Sequence, residues 1–172
     1  MSKFFTLITT HKVEERDSFY YNVQLKNKEL SIGWGDFDPT GLSYAKTKSK
    51  IEYHYPSFKG TTNPDSGAKS LPLFLDLSIG DIVFVRGVAK IIDIVIITGK
   101  PIYDDTRGHY ANDYYLKVPF VSLFDKRQFD IHISSLTEES KYEIVYEEGR
   151  STAMKELGEN TVLELFKLIR FI

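Results

Sequence analysis

The sequence predicts an α+β domain built round a small barrel-like sheet, and three observations carry that prediction. Ile82–Arg86 and Lys90–Thr98 are consecutive β-branched runs bounded by Gly80, Gly87 and Gly99, the pattern of central strands buried on both faces. The last segment instead places Val162, Leu163, Leu165, Phe166, Leu168 and Ile169 on one broad apolar face of a helix. Strands dominating the centre and helices the end define the class. At 172 residues the chain is one domain, 1–172, long enough to bury a core without metals or disulfides. The barrel core is expected over about 30–133 and a helical C-terminal segment over 134–172.

Taken in order, Phe4–Thr9 reads as a first strand, and the polar stretch His11–Asp17 as a turn. Phe19–Leu25 is apolar and aromatic without a clear period. Leu30–Trp34 is a short strand that stops at glycines, and Asp36–Gly41 is a loop rich in Asp, Pro, Thr and Gly. Ser43–Tyr55 fits either a short helix or an extended basic segment. Ser57–Ser70, with Gly60, Asn63-Pro64 and Ser66-Gly67, reads as a long loop, and Leu71–Leu77 as a short helix or turn. Ile79-Gly80-Asp81 turns the chain into the two central strands. After Ile102-Tyr103 and the loop Asp104–Gly108, Tyr114–Phe124 forms a long strand. Pro119 makes that strand an edge or gives it a bulge. Gln128–Ile133 is a short strand, and Ser135-Leu136-Thr137-Glu138 fits a capping box. Thr152–Leu157 and Asn160–Ile172 read as helices.

Composition narrows the function classes. There is no cysteine, hence no disulfide framework, thiolate metal site or Cys nucleophile, which fits a cytoplasmic protein. No stretch approaches a membrane span, and Met1–Phe5 lacks the apolar run of a signal peptide. Net charge is −2, far from the strongly basic balance of a protein held to nucleic acid by phosphate attraction alone. The charge is uneven: residues 41–127 carry twelve Lys or Arg against nine Asp or Glu, and residues 128–172 five against nine. A nucleic-acid ligand would therefore need a specific pocket in addition to the mildly basic centre.

Such a pocket is suggested by the aromatic residues, 12 Phe, 11 Tyr and a single Trp. Trp34 stands between Gly33 and Gly35, and glycines in a strand mark a bend or a close approach by backbone or ligand. An aromatic wall presented to something flat suits a nucleobase. Phe37, Tyr53 and Tyr55 are candidates for a second wall. Tyr103 is the favoured partner from the later tyrosine cluster, where Tyr114 and Tyr115 point to opposite faces of a strand, so that at most one faces any pocket. Asp93 is an acid inside an apolar run. It is either paired at the barrel rim or set in a wet pocket, accepting from an exocyclic amine of adenine or cytosine. Lys46, Lys48 and Lys50 would share one face of an extended segment and track phosphates, with Arg86, Lys90, Lys100 and Arg107 adding to the path. The four histidines show no ligand spacing, and neither a phosphate loop nor a nucleophile elbow occurs. No metal, no cofactor and no catalysis are expected.

Gly33-Trp34, a long loop, Ile79-Gly80-Asp81-Ile82-Val83 leading into an apolar hairpin, a Tyr-bearing loop, and Tyr115-Leu116-Lys117-Val118-Pro119-Phe120 occur in that order. Over roughly residues 30–124 this resembles the EVE and YTH-like branch of the PUA superfamily, in particular the N-terminal recognition domain of McrB-type, modification-dependent restriction systems. The resemblance implies a PUA/EVE-like barrel that flips a methylated base, N6-methyladenine or 5-methylcytosine, out of double-stranded DNA into an aromatic pocket. The matching pocket residues would be Gly33, Trp34 and Gly35, with the loop round Tyr103 at the border. The chain departs from the family at Asp93 and Val95, where the family often has small residues. The resemblance also implies an AAA+ GTPase in the same polypeptide and a separate nuclease. An RNA-binding module of the same shape, a small nucleoside-acting enzyme and a protein-interaction domain are the competing expectations.

Overall fold

A computed structural model describes residues 2–34, 36–106, 114–124, 129–147, 150–151 and 153–169. The chain begins with β1 (Phe4–Ile8), followed by α1 (Arg16–Phe19), a π-helical turn (Tyr20–Gln24) and α2 (Leu25–Asn27). Then come β2 (Glu29–Ile32), α3 (Tyr44–His54) and α4 (Asn63–Leu75). The centre holds β3 (Ile82–Arg86), β4 (Lys90–Ile97), β5 (Ile102–Tyr103), β6 (Leu116–Ser122) and β7 (Ile131–His132). The last part comprises α5 (Glu138–Val145), β8 (Tyr146–Glu147), β9 (Arg150–Ser151), β10 (Met154–Glu156) and α6 (Glu159–Ile169).

The main sheet runs β10-β1-β3-β4-β6-β2, with β5 added on β6 and β7 on β4. Only the β1–β3 pair among these is parallel. The sheet curls into a half-barrel, so the domain is α+β. The curl shows in how long strands change partners. Residues 95–97 of β4 pair with β6, while residues 90 and 91 pair with β7. On β6, residues 116 and 117 pair with β5 and residues 120–122 with β4. Pro119 sits at that junction, opposite Glu29 of β2; it donates no N–H, and its carbonyl accepts from Thr98 N at 3.0 Å at the end of the β4–β6 ladder. Gly99 lets the proline ring approach, since a Cβ there would stand 2.5 Å from Pro119 Cγ.

The β3–β4 hairpin is covered on both faces, as its largely apolar sequence requires. Val83, Val85, Ile92, Val95 and Ile97 face one core, shared with β1, β2 and α4. Phe84, Ile91 and Ile94 face the other, closed by Ile144 of α5 and Val162 and Leu165 of α6. Gly80 adopts φ +91°, which glycine alone takes cheaply. The buried Asp81 carboxylate then accepts from Lys3 N at 2.8 Å and Ser78 N at 2.9 Å. The Ile-Gly-Asp turn thus fastens the start of β1 to the start of β3.

Three elements differ from the sequence expectation. Residues 63–75, expected to be mostly loop, form α4, because Asn63-Pro64 is a helix start: proline is tolerated in the first turn, where its N–H would have no partner. Residues 154–156, expected as helix, form β10, because β1 otherwise has an open edge; Leu7 pairs with Met154 and Phe5 with Glu156. Backbone satisfaction outweighs the modest helix preference of Ala-Met-Lys-Glu. The helix after Leu136 begins at Glu138 with Thr137 as its cap: Ser140 N donates to Thr137 Oγ1 at 3.4 Å, and Glu164 of α6 accepts from Thr137 N at 2.7 Å. Of the strand expected over Gln128–Ile133, Gln128 lies outside the described residues; Ile131–His132 form β7.

Candidate functional site

β2 ends at Ile32, and the next two residues build a wall. Trp34 takes φ +63°, the left-handed region, where a bulky residue is a true outlier and strain clusters at ligand sites. The bend is therefore borne by the tryptophan itself. Gly33 serves differently: a Cβ there would lie 3.6 Å from the Tyr114 ring, so Tyr114 packs directly over it. The indole lies against α4 at Gly67, where a Cβ would stand 3.0 Å from Trp34 Cδ2 and 2.5 Å from Ile51 Cδ1. Gly67 is what allows helix and ring to approach.

Trp34 is partly buried and borders a cavity of about 260 Å³. The other rings in its lining are Tyr55 and Phe58, which follow α3, and Tyr114. Tyr55 and Phe58 stack on each other at 5.5 Å and 19°. Tyr114 is buried, tilted against Phe19 at 5.2 Å, and its hydroxyl donates to Thr10 Oγ1 at 3.1 Å. Polar groups enter from the end of β1 (Thr9, Thr10, His11) and from Asn63 at the start of α4. His11 and Asn63 are exposed, whereas Thr9 is committed to Arg16 O at 2.8 Å. Neither a carboxylate nor a lysine is among the lining residues. The volume lies just below the roughly 300–1,000 Å³ of drug-sized pockets, a size for one flat heterocycle between rings.

The structure gathers only part of the sequence-predicted set here. Gly33 and Trp34 are in place, and Tyr55 and Tyr114 join them. Gly35 and Arg107 lie outside the described residues. Phe37 is buried in the core and stacks on His54 at 5.5 Å. Tyr53 is 77% exposed on the outer side of α3. Tyr103 packs against Tyr115 with ring centroids 6.0 Å apart, away from the cavity lining. Burial, then the acids Asp105 and Asp38, push its hydroxyl pKa up.

Asp93 belongs to the interior. It is 2% exposed and accepts from Tyr20 Oη at 2.5 Å, Ser122 Oγ at 2.6 Å and Ile94 N at 2.7 Å. Burial outweighs these donors and raises its pKa; burial first, then Asp93, raises that of Tyr20.

The cations also divide. Ser43 caps α3 by accepting from Lys46 N, so 46, 48 and 50 lie on a helix and do not share one face. Lys46, Lys50 and Tyr53 fall on its exposed side at helical spacing. Lys48 is turned toward α4, paired with Asp65 at 3.1 Å. Arg86 is an interior residue: it is 3% exposed and its Nη1 donates to Ile144 O at 2.6 Å, at the end of α5. Burial, with Arg16 nearby, pushes its pKa down to about 9. It braces a helix terminus and does not reach a phosphate. Lys90 bridges Asp17 and Asp130 at 3.4 and 3.5 Å. Lys100 lines a different cavity.

Phe58, Asn63 and Gly67 were missed by sequence reasoning because residues 57–70 read as loop. The usable signal was Asn63-Pro64 as a helix start, which would have put Gly67 inside a helix and raised the question of what approaches it.

Among the described residues no helix is long and apolar enough to cross a membrane. No cluster of three or more His, Cys, Asp or Glu among them could hold a metal ion.

Fold and site together define an α+β domain with a half-barrel sheet and a small, aromatic-lined cavity at one end of a helix pair. The model of a family described as a domain of unknown function (DUF8426) matches residues 10–147, and the chain belongs to that family. No curated protein matches it.

Gly67 offers a direct check on the wall. In Gly67→Ala, Ile51 must rotate and the indole must retreat by a few tenths of an ångström. Alanine's helix preference, worth about 1 kcal/mol over glycine, offsets much of that strain. Urea unfolding should show a change within about 1 kcal/mol, while the emission of Trp34, the sole indole, shifts. Gly67→Val adds two methyl groups to a filled gap and should cost roughly 1–3 kcal/mol. Unchanged emission in both variants would mean that the ring does not rest on α4.

Proposed function

We propose that this domain is a non-catalytic reader of a modified base in DNA, in which the base leaves the duplex and enters the Trp34 cavity. One observation carries the proposal: a tryptophan held in the left-handed region beside a cavity of about 260 Å³ that three further rings line. Rings offer stacking, worth about 1–3 kcal/mol per base, and extrusion of a methylated or mispaired base costs only a few kcal/mol. A lining without carboxylate or lysine suits a neutral heterocycle and leaves a methylammonium group without a balancing carboxylate. Lys46 and Lys50, exposed on α3, would meet the phosphates, with Tyr53 beside them. In this proposal the half-barrel is a PUA/EVE-like sheet, and the domain directs a restriction complex containing an AAA+ GTPase and a partner nuclease.

Burying one methyl group contributes about 0.8 kcal/mol, roughly fourfold in affinity. Fluorescence anisotropy at fixed salt should show at least that preference for a duplex with one N6-methyladenine or 5-methylcytosine over its unmodified twin. Equal affinities for all three duplexes refute the proposal, and tighter binding of a matched RNA transfers it to an RNA reader.

A further inference from the structure

A second cavity, of about 780 Å³, lies toward the opposite end of the α3–α4 pair and separate from the Trp34 site. Its walls are aliphatic, with Leu42, Pro72, Leu75, Ile79 and Pro101 prominent and no aromatic ring in the lining. Pro39, Pro72 and Pro101 fix the local backbone, so the walls are formed in advance of any ligand. Ile79 is 70% exposed, an apolar cost that a bound hydrocarbon would remove.

Two charged residues line this cavity, Asp76 and Lys100. Both are exposed. Among the described residues neither side chain has an ion-pair or hydrogen-bond partner, and they do not pair with each other. Asp76 is also the C-cap of α4, where the last carbonyls add negative potential. Asp76 therefore favours a cation and Lys100 an anion, in a cavity whose other walls are largely aliphatic. A purely anionic amphiphile would satisfy Lys100 and face Asp76 unfavourably. A nucleotide would find no ring to stack on. A single amino acid would leave much of the volume unfilled.

We propose that this cavity binds a short aliphatic zwitterion of dipeptide size, with its ammonium group at Asp76, its carboxylate at Lys100 and its side chains on the proline and leucine walls. The test is calorimetric titration of the full chain with leucyl-leucine, its N-acetyl form and its C-terminal amide. Leucyl-leucine should bind saturably, and blocking either terminus should weaken binding by about tenfold, the scale of one charged hydrogen bond. Lys100→Ala should bind the free and amidated peptides alike, and Asp76→Asn the free and acetylated peptides alike. Both residues are exposed, so the unfolding midpoints of the variants should match that of the parent. Three outcomes overturn the proposal: no saturable heat at millimolar leucyl-leucine, equal affinity for free and blocked peptides, or a variant that weakens all three peptides equally.

Discussion

Trp34→Ala will abolish discrimination between modified and unmodified duplexes while the domain stays folded. Removing the indole forfeits stacking worth about 1–3 kcal/mol, a roughly 5- to 150-fold loss of affinity for the modified duplex. The stability change should be smaller than for a fully buried aromatic, normally about 3–5 kcal/mol, because the ring is only partly buried. Trp34→Gly sharpens the test. Its backbone accepts φ +63° without the strain that alanine retains, so it should be the more stable of the two and equally unable to discriminate. Anisotropy with the methylated and plain duplexes, paired with urea unfolding, measures both effects. If either variant keeps the preference, the indole is not the base-binding wall.

The largest stability effect is expected at Asp93. Asp93→Ala removes the acceptor shared by Tyr20, Ser122 and Ile94 N and leaves buried donors without it, at about 1–3 kcal/mol for each that finds no substitute. A total loss of roughly 3–5 kcal/mol would take much of a typical domain's stability. Asp93→Asn supplies the pH signature. Burial raises the folded-state pKa of Asp93, so its protonated form is favoured by folding. Its contribution is fully present below the unfolded-state value near 3.9 and is lost as pH rises through the folded-state value. The advantage of the parent over Asp93→Asn should therefore be greatest at about pH 4 and shrink toward neutrality. An advantage that grows with pH would show that the three donors, not burial, dominate the site.

The parts of the fold visible in the sequence were those in which local pattern and tertiary role agree. The β3–β4 hairpin, the turn at Gly80 and the amphipathic α6 each had one reading, and the structure contains all three. Residues 154–156 were illegible because a strand was imposed on a helix-tolerant sequence by the empty edge of β1, some 150 residues away. The candidate site was half legible. Trp34 announced itself through its glycines, but its partners come from α4 and from the segment linking it to α3, and so depended on a helix hidden behind turn-like residues. Asp93 and Arg86 were misplaced for a shared reason. A charge in an apolar run has to be satisfied, and sequence cannot say whether a ligand or the protein's own Tyr20, Ser122 and Ile144 will do it.

The placement of β1 has a consequence for biosynthesis. Its two neighbours are β3 and β10, so β1 is synthesised before both of its partners and stays unpaired on one side until residue 82 follows, and on the other until residue 154. Folding governed by such distant pairings is slow, and a bare strand edge is open to pairing with other chains. Nascent chains stalled before β10 should therefore be the aggregation-prone species, and emergence of residues 154–156 the step that closes the open edge.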